Sequence, residues 1–129
     1  MFTAFKNRIR VYLPEKYRTP PAVVPVIASG SHLRPGLNLA AIAPALEKAF
    51  SYKDAPAVAI IVNSPGGSPV QSNLIFQRIR QLADEKEKTV LVFVEDVAAS
   101  GGYFIAVAGD EIIADPSSVV GSIGVISAS

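Results

Sequence analysis

Two apolar runs, Val58-Ala59-Ile60-Ile61-Val62 and Val90-Leu91-Val92-Phe93-Val94, constrain the fold of this chain more than any other feature. A strand that is apolar at every position has no face to give to water. Both runs therefore belong in the middle of a sheet covered on both sides, as in parallel α/β proteins. The surrounding segments agree. Val23–Ile27 reads as a first strand, with Pro25 favouring an edge position. Residues 37–50 carry Leu37, Ala40, Ala41, Ala45, Leu46 and Phe50 at helical intervals, and Pro44 leaves open a division into two shorter helices. Leu74, Ile75, Ile79 and Leu82 form the stripe of another helix, which ends in the solvated charge run Asp84–Lys88. A short helix from Gly102 to Ala108 and a strand from Glu111 to Ala114 follow. The expected class is α/β, a parallel sheet with helical crossovers. Right-handed crossovers place the turns after both apolar runs at one carboxyl edge, where open α/β sheets bind their ligands.

Bulk properties exclude several functions. The 129 residues make one domain or part of one, and 12 Lys+Arg against 11 Asp+Glu leave no global field to attract nucleic acid. Without cysteine there are no disulfides, no Cys-ligated zinc and no thiol catalysis. The single histidine, His32, cannot build a multi-histidine metal site and reads as a loop or surface residue. No metal or cofactor is expected. No run approaches the roughly 18 apolar residues of a transmembrane helix, and no signal peptide is legible, so the expected location is cytoplasmic. Residues 1–22 stand apart from the domain of residues 23–129. In this arm Lys6, Arg8, Arg10, Lys16 and Arg18 face only Glu15, and Phe2, Phe5, Ile9 and Tyr12 recur at near-helical spacing. Such a segment serves as a solvated arm, a subunit contact or a peripheral membrane contact.

The candidate chemistry lies in the turns. Ser100, in Ala98-Ala99-Ser100-Gly101-Gly102, follows the second apolar run. Serine caps helices well, so one reading makes Ser100 an N-cap. The other makes it a nucleophile, with the Gly101 N–H stabilising an oxyanion and both glycines leaving room for a substrate carbonyl. Asn63-Ser64-Pro65-Gly66-Gly67 follows the first run and is either a tight connection or a second source of N–H donors. It lacks the spacing and the lysine of a phosphate-binding P-loop. Asp115–Val125 reads by spacing as a loop whose small and hydroxyl residues suit the wall of a pocket.

Taken together, Asn63-Ser64-Pro65-Gly66-Gly67, Ala99-Ser100-Gly101-Gly102-Tyr103 and Gly121-Ser122-Ile123-Gly124-Val125 resemble the S49 family of serine peptidases. The likeness is to the signal peptide peptidase A group and its SohB-like relatives, and it runs from about Val23 to the last residue. It implies a ClpP/crotonase-like fold, homo-oligomers, and endopeptidase activity by a Ser–Lys dyad on extended peptides such as signal-peptide remnants. By motif position Ser100 matches the nucleophile, and Gly67 and Gly101 match the oxyanion donors. Ser122 matches a serine that hydrogen-bonds the catalytic lysine. A Ser-His-Asp triad of the ClpP kind is excluded within the chain, because no histidine follows Ser100. Two alternatives share the fold: a crotonase-like acyl-CoA enzyme without a serine nucleophile, and a non-catalytic peptide-binding or assembly module.

Serine needs a base, and a lysine can act as one only when neutral. Lowering its pKa from about 10.4 to about 7–8 costs roughly 4 kcal/mol, which demands an apolar site with a hydroxyl partner. No lysine follows Lys88, and Lys48, Lys53, Lys86 and Lys88 sit beside acidic residues or in polar loops. The expectation is that the base lies beyond Ser129 and that this polypeptide alone has little or no peptidase activity.

Overall fold

A computed structural model describes residues 37–121 in full and the backbone of residues 22–27. In chain order the elements are β1 (Ala22–Ile27), α1 (Leu39–Ser51), β2 (Ala57–Ser64), α2 (Pro69–Lys86), β3 (Thr89–Ala99), α3 (Gly101–Ala106), β4 (Glu111–Ala114) and β5 (Val119–Gly121). The strands form one sheet in the order β1-β2-β3-β4, with β5 also pairing with β3, and every pairing is parallel. The two apolar runs are thus the interior strands, and β1, with Pro25 opposite Ile61, borders the sheet.

Alternation along β2 and β3 divides the core. Val58, Ile60, Val62, Val90, Val92 and Val94 pack against all three helices, through Leu46 and Phe50 of α1, Ile75, Ile79 and Leu82 of α2, and Ile105 of α3. Ala57, Ala59, Leu91 and Phe93 project to the opposite face and pack with Ile113 of β4. Phe76 and Phe104 meet at 5.3 Å between ring centroids in a tilted arrangement that joins α2 to α3.

Local chemistry sets the helix limits. Asn38 caps α1 by accepting the Ala41 N–H at 2.9 Å, and Ser68 caps α2 by accepting the Gln71 N–H at 3.3 Å. Pro44 does not divide α1, which runs unbroken through it. Ala40 and Pro44 are both exposed, so water can hydrate the carbonyl that proline leaves without an N–H partner. The α2 stripe also differs from expectation. Leu74 is 38% exposed, and the buried face is made by Ser72, Ile75, Ile79, Leu82 and Ala83. The charge run does end the helix in solvent, with Glu87 in the left-handed conformation at the cap.

At the amino end of the sheet, Asp110 locks the entry to β4. Its N–H donates to the Val90 carbonyl at 2.8 Å, and its carboxylate accepts the Val90 N–H at 2.8 Å. Arg80 of α2 reaches the Ala108 carbonyl at 3.0 Å and Asp110 at 3.3 Å.

β3 is longer than its apolar run. Val62 faces Val94, but Ser64 faces Ala98, so Asn63 is matched by Glu95, Asp96 and Val97. This bulge carries β3 on to Ala99, where β5 joins it through Val97↔Val119, Ala98↔Val120 and Ala99↔Gly121. Part of the segment expected to be loop is therefore strand. The Ser118 hydroxyl fastens it by donating to the Glu95 carbonyl at 2.5 Å.

The α2 assignment is testable by truncation. Ile79→Ala should lower unfolding free energy by about 2–5 kcal/mol in urea titration, and Leu74→Ala by under about 1 kcal/mol. Equal losses at the two positions would contradict the assigned helix face.

Candidate active site

Two neighbouring parallel strands end side by side, and the turns that follow them touch. Ser64 is fully buried at the end of β2 and shapes the first turn: its hydroxyl accepts the Gly66 N–H at 3.2 Å and donates to the Gly66 carbonyl at 3.4 Å. Gly66 has a φ of +137°, which glycine alone adopts without strain. A Cβ there would also lie 3.1 Å from Ser100 Cβ and 3.4 Å from Ser100 Oγ, so the turn is seated directly against the serine.

Ser100 joins β3 to α3 with φ 51° and ψ −120°. This lies outside the left-handed helical well, whose ψ is near +47°, in a region that costs a non-glycine residue about 1–3 kcal/mol. Bonds on both sides hold it there. Its N–H donates to the Gly121 carbonyl of β5 at 3.2 Å, and its carbonyl accepts the Phe104 N–H of α3 at 3.0 Å. Ser100 occupies the N-cap position, yet its side chain makes no capping bond. The hydroxyl is half-buried and has no hydrogen-bond partner among the described residues. A strained residue on a strand-to-helix turn with its hydroxyl uncommitted is the arrangement that exposes a nucleophile.

The expected donors are brought to the same place. A Cβ on Gly101 would lie 3.2 Å from the Gly67 nitrogen, so the two backbones meet beside Ser100. Neither the Gly67 N–H nor the Gly101 N–H has an acceptor among the described residues. Gly67 is exposed, and Gly101 sits in the first turn of α3, where N–H groups have no intrahelical partner.

One expectation needs correction. Gly101 and Gly102 are buried, and their lack of side chains serves internal packing, not substrate access. A Cβ on Gly101 would come 2.4 Å from Ser72 Oγ, and one on Gly102 would come 2.5 Å from the Ser64 carbonyl oxygen. Ser72, buried in α2 with its hydroxyl donating to the Ser68 carbonyl at 2.9 Å, was not singled out from sequence. Its signal was a small polar residue in the apolar stripe, three positions before Ile75.

Ser122, His32 and residues 1–21 of the basic arm lie outside the described residues. None of the four described lysines considered as a base approaches Ser100. Lys88 precedes the first residue of β3 and Ser100 follows the last, on the order of 30 Å apart at ~3.3 Å per residue. Lys48, Lys53 and Lys86 also lie on the segments that lead into the amino ends of β2 and β3. Burial, reinforced by Lys86 and opposed by Asp54, holds the Lys88 ammonium below its usual range. That shift is at the wrong end of the sheet.

Residues 82–129 match the model of peptidase family S49. Over 98% of its length the chain is 59% identical to the Na(+)/H(+) antiporter NhaA of Brucella melitensis biotype 1, of which it covers 18%. It is 40% identical over 64% of its length to the chloroplastic serine protease SPPA of Arabidopsis thaliana, covering 12% of that protein. With protease 4 of Haemophilus influenzae it shares 44% identity over 65% of its length, covering 14%. A parallel α/β sheet presents a strained serine between two glycine turns, and the sequence that builds it is similar to that of peptidases. The S49 match includes Ser100 and Gly101, and the two protease-named relatives are similar to this chain over about two thirds of its length. The chain spans less than a fifth of each of these three relatives. No helix among the described residues is long and apolar enough to cross a membrane.

The glycine contacts predict a coupled pair of substitutions. Gly101→Ala should destabilise by about 1–3 kcal/mol, and adding Ser72→Ala should recover part of that loss by removing the hydroxyl in the way. Gly102→Ala meets backbone and should not be rescued by Ser72→Ala. Additive effects of Gly101→Ala and Ser72→Ala in thermal unfolding would disprove the contact. The strain at Ser100 predicts that Ser100→Gly is about 1 kcal/mol more stable than Ser100→Ala, and the reverse order would remove the strain from the account.

Proposed function

We propose that this chain carries the nucleophile and oxyanion hole of a serine endopeptidase that works by a Ser–Lys dyad. One observation carries the reading: Ser100 is held in a strained turn beside the N–H groups of Gly67 and Gly101, and neither its hydroxyl nor those N–H groups have a hydrogen-bond partner among the described residues. The match of residues 82–129 to family S49, which takes in Ser100 and Gly101, supports the same chemistry.

In this mechanism Ser100 Oγ attacks the carbonyl carbon of an extended peptide, and its proton passes to a neutral lysine amine. The Gly67 and Gly101 N–H groups receive the developing oxyanion. Collapse breaks the C–N bond, the lysine returns the proton to the departing amine, and water then hydrolyses the Ser100 ester by the same route. The lysine comes from outside the described residues, and Ser122 hydrogen-bonds it. The substrates are peptides of the signal-peptide-remnant kind, and the active assembly is a homo-oligomer, as the family resemblance implies.

In the complete protein, Ser100→Ala should reduce peptide hydrolysis at least about 10³-fold while leaving the unfolding transition cooperative. Gly67→Pro, which removes one N–H from an exposed turn, should lower kcat by about 10²–10³. Retained turnover in Ser100→Ala would replace the nucleophilic mechanism with a crotonase-like one. Unchanged kcat in Gly67→Pro would remove Gly67 from the oxyanion hole.

A further inference from the structure

The two glycines of the first turn are held by different means. Gly66 is fixed by the Ser64 hydroxyl, which bonds its N–H and its carbonyl, and it lies against Ser100. Gly67 is exposed and has no such bonds among the described residues. A Cβ built on it would meet Leu37 alone of the described residues, at 3.5 Å between Cβ atoms. Leu37 is buried and belongs to the core on the helical face of the sheet. Its placement therefore bears on the direction of the Gly67 N–H.

Leu37 lies two residues before α1, and α2 holds that end of α1 in place. Ser68-Pro69-Val70-Gln71 is a capping-box sequence, in which the glutamine ordinarily turns back to the N-cap N–H of its own helix. Half of the box is formed, since Ser68 Oγ accepts the Gln71 N–H at 3.3 Å. The Gln71 side chain is committed to the neighbouring helix. Its Oε1 accepts the N–H of Leu39, the first residue of α1, at 3.0 Å in a partly buried bond that spans 32 residues. The Leu39 N–H is one of those that a helix start leaves without an intrahelical acceptor. Asn38 does not supply one, because its side chain accepts the Ala41 N–H.

These contacts close a ring around Gly67. Gly67 is joined to Ser68, Ser68 binds Gln71, Gln71 binds Leu39, and Leu37 rests against Gly67. Ser68 is fixed further by its carbonyl, which accepts the N–H and the hydroxyl of Ser72, each at 2.9 Å. Leu37 cannot draw back from Gly67 while the Leu39 N–H stays bonded to Gln71.

We propose that Gln71 is a positioning residue: by taking the Leu39 N–H it holds Leu37 against Gly67 and so aims the Gly67 N–H at the place the oxyanion will occupy. The proposal rests on the peptidase reading above. Gln71 itself makes and breaks no bond to the substrate.

The test uses the protein in its peptide-cleaving form. Gln71→Met keeps the length of the side chain and removes the acceptor, whereas Gln71→Glu keeps an acceptor at a helix start, where negative charge is favoured. Gln71→Met should lower kcat about ten-fold with KM unchanged within about two-fold, and Gln71→Glu should keep both within about two-fold. Hydrogen exchange at the Leu39 amide, read by mass spectrometry, should quicken at least about ten-fold in Gln71→Met and not in Gln71→Glu. Ile79→Val, which loosens α2 about 12 Å further along the helix, should leave kcat unchanged within about two-fold. Unchanged exchange or unchanged kcat in Gln71→Met would overturn the inference and leave the peptidase reading standing. So would a Gln71→Glu as slow as Gln71→Met, or an equal loss of kcat in Ile79→Val. Retained turnover in Ser100→Ala would overturn the peptidase reading, and this inference with it. If Gln71→Met does not fold, Gln71→Ala takes its place on the same terms.

Discussion

Val62 of β2 faces Val94 of β3, yet two residues later Ser64 faces Ala98, and this change of register decides where the two strands deliver their turns. Both strands are apolar and central, so their amino halves pair in regular parallel register and bury nearly every side chain. Glu95–Val97, three residues opposite the single Asn63, then bend β3 so that Ala99 ends beside the Ser64–Gly67 turn. A bond of 3.4 Å from Asn63 to the Glu95 carboxylate spans the bulge. β5 fills the place beside the extended end of β3, and its Gly121 carbonyl holds the Ser100 N–H. Without the bulge, the serine and the Gly67 N–H would not share one site.

Close packing at the same point fixes the geometry. The start of α3 presses Gly101 against Ser72 of α2 and Gly102 against the Ser64 carbonyl of β2, approaches that no side chain permits. The backbone of Ser100 cannot relax without moving α3 or β5, since each holds one of its peptide groups. A strain of about 1–3 kcal/mol is then carried by a core that includes Ile60, Ile75, Ile79 and Ile105, all fully buried. Strain maintained by packing on both sides keeps a side chain presented to a ligand.

Much of this was legible in the sequence because burial leaves a strong pattern. The apolar runs gave β2 and β3, Pro25 marked the border strand, and the glycine turns marked the carboxyl edge. Other features left weaker traces. Glu95 and Asp96 interrupt the apolar pattern of β3, because residues in a bulge are not held to either face. β5 has only three residues and owes its place to pairing with β3, which no local periodicity encodes. Leu74 is apolar but turned toward solvent, while Ser72 is polar but buried with its hydroxyl satisfied by the Ser68 carbonyl. Spacing placed Gly101 and Gly102 at the site but misjudged what their small size accommodates.

The central claim is that the hydroxyl of Ser100 is the reactive nucleophile. A fluorophosphonate probe applied to the protein in its peptide-cleaving form, with the modified peptide mapped by mass spectrometry, tests it most directly. The account predicts a single stoichiometric adduct on Ser100 and none on Ser64, Ser68 or Ser72. An adduct on one of those serines, or no adduct on a protein that cleaves peptides, would contradict it.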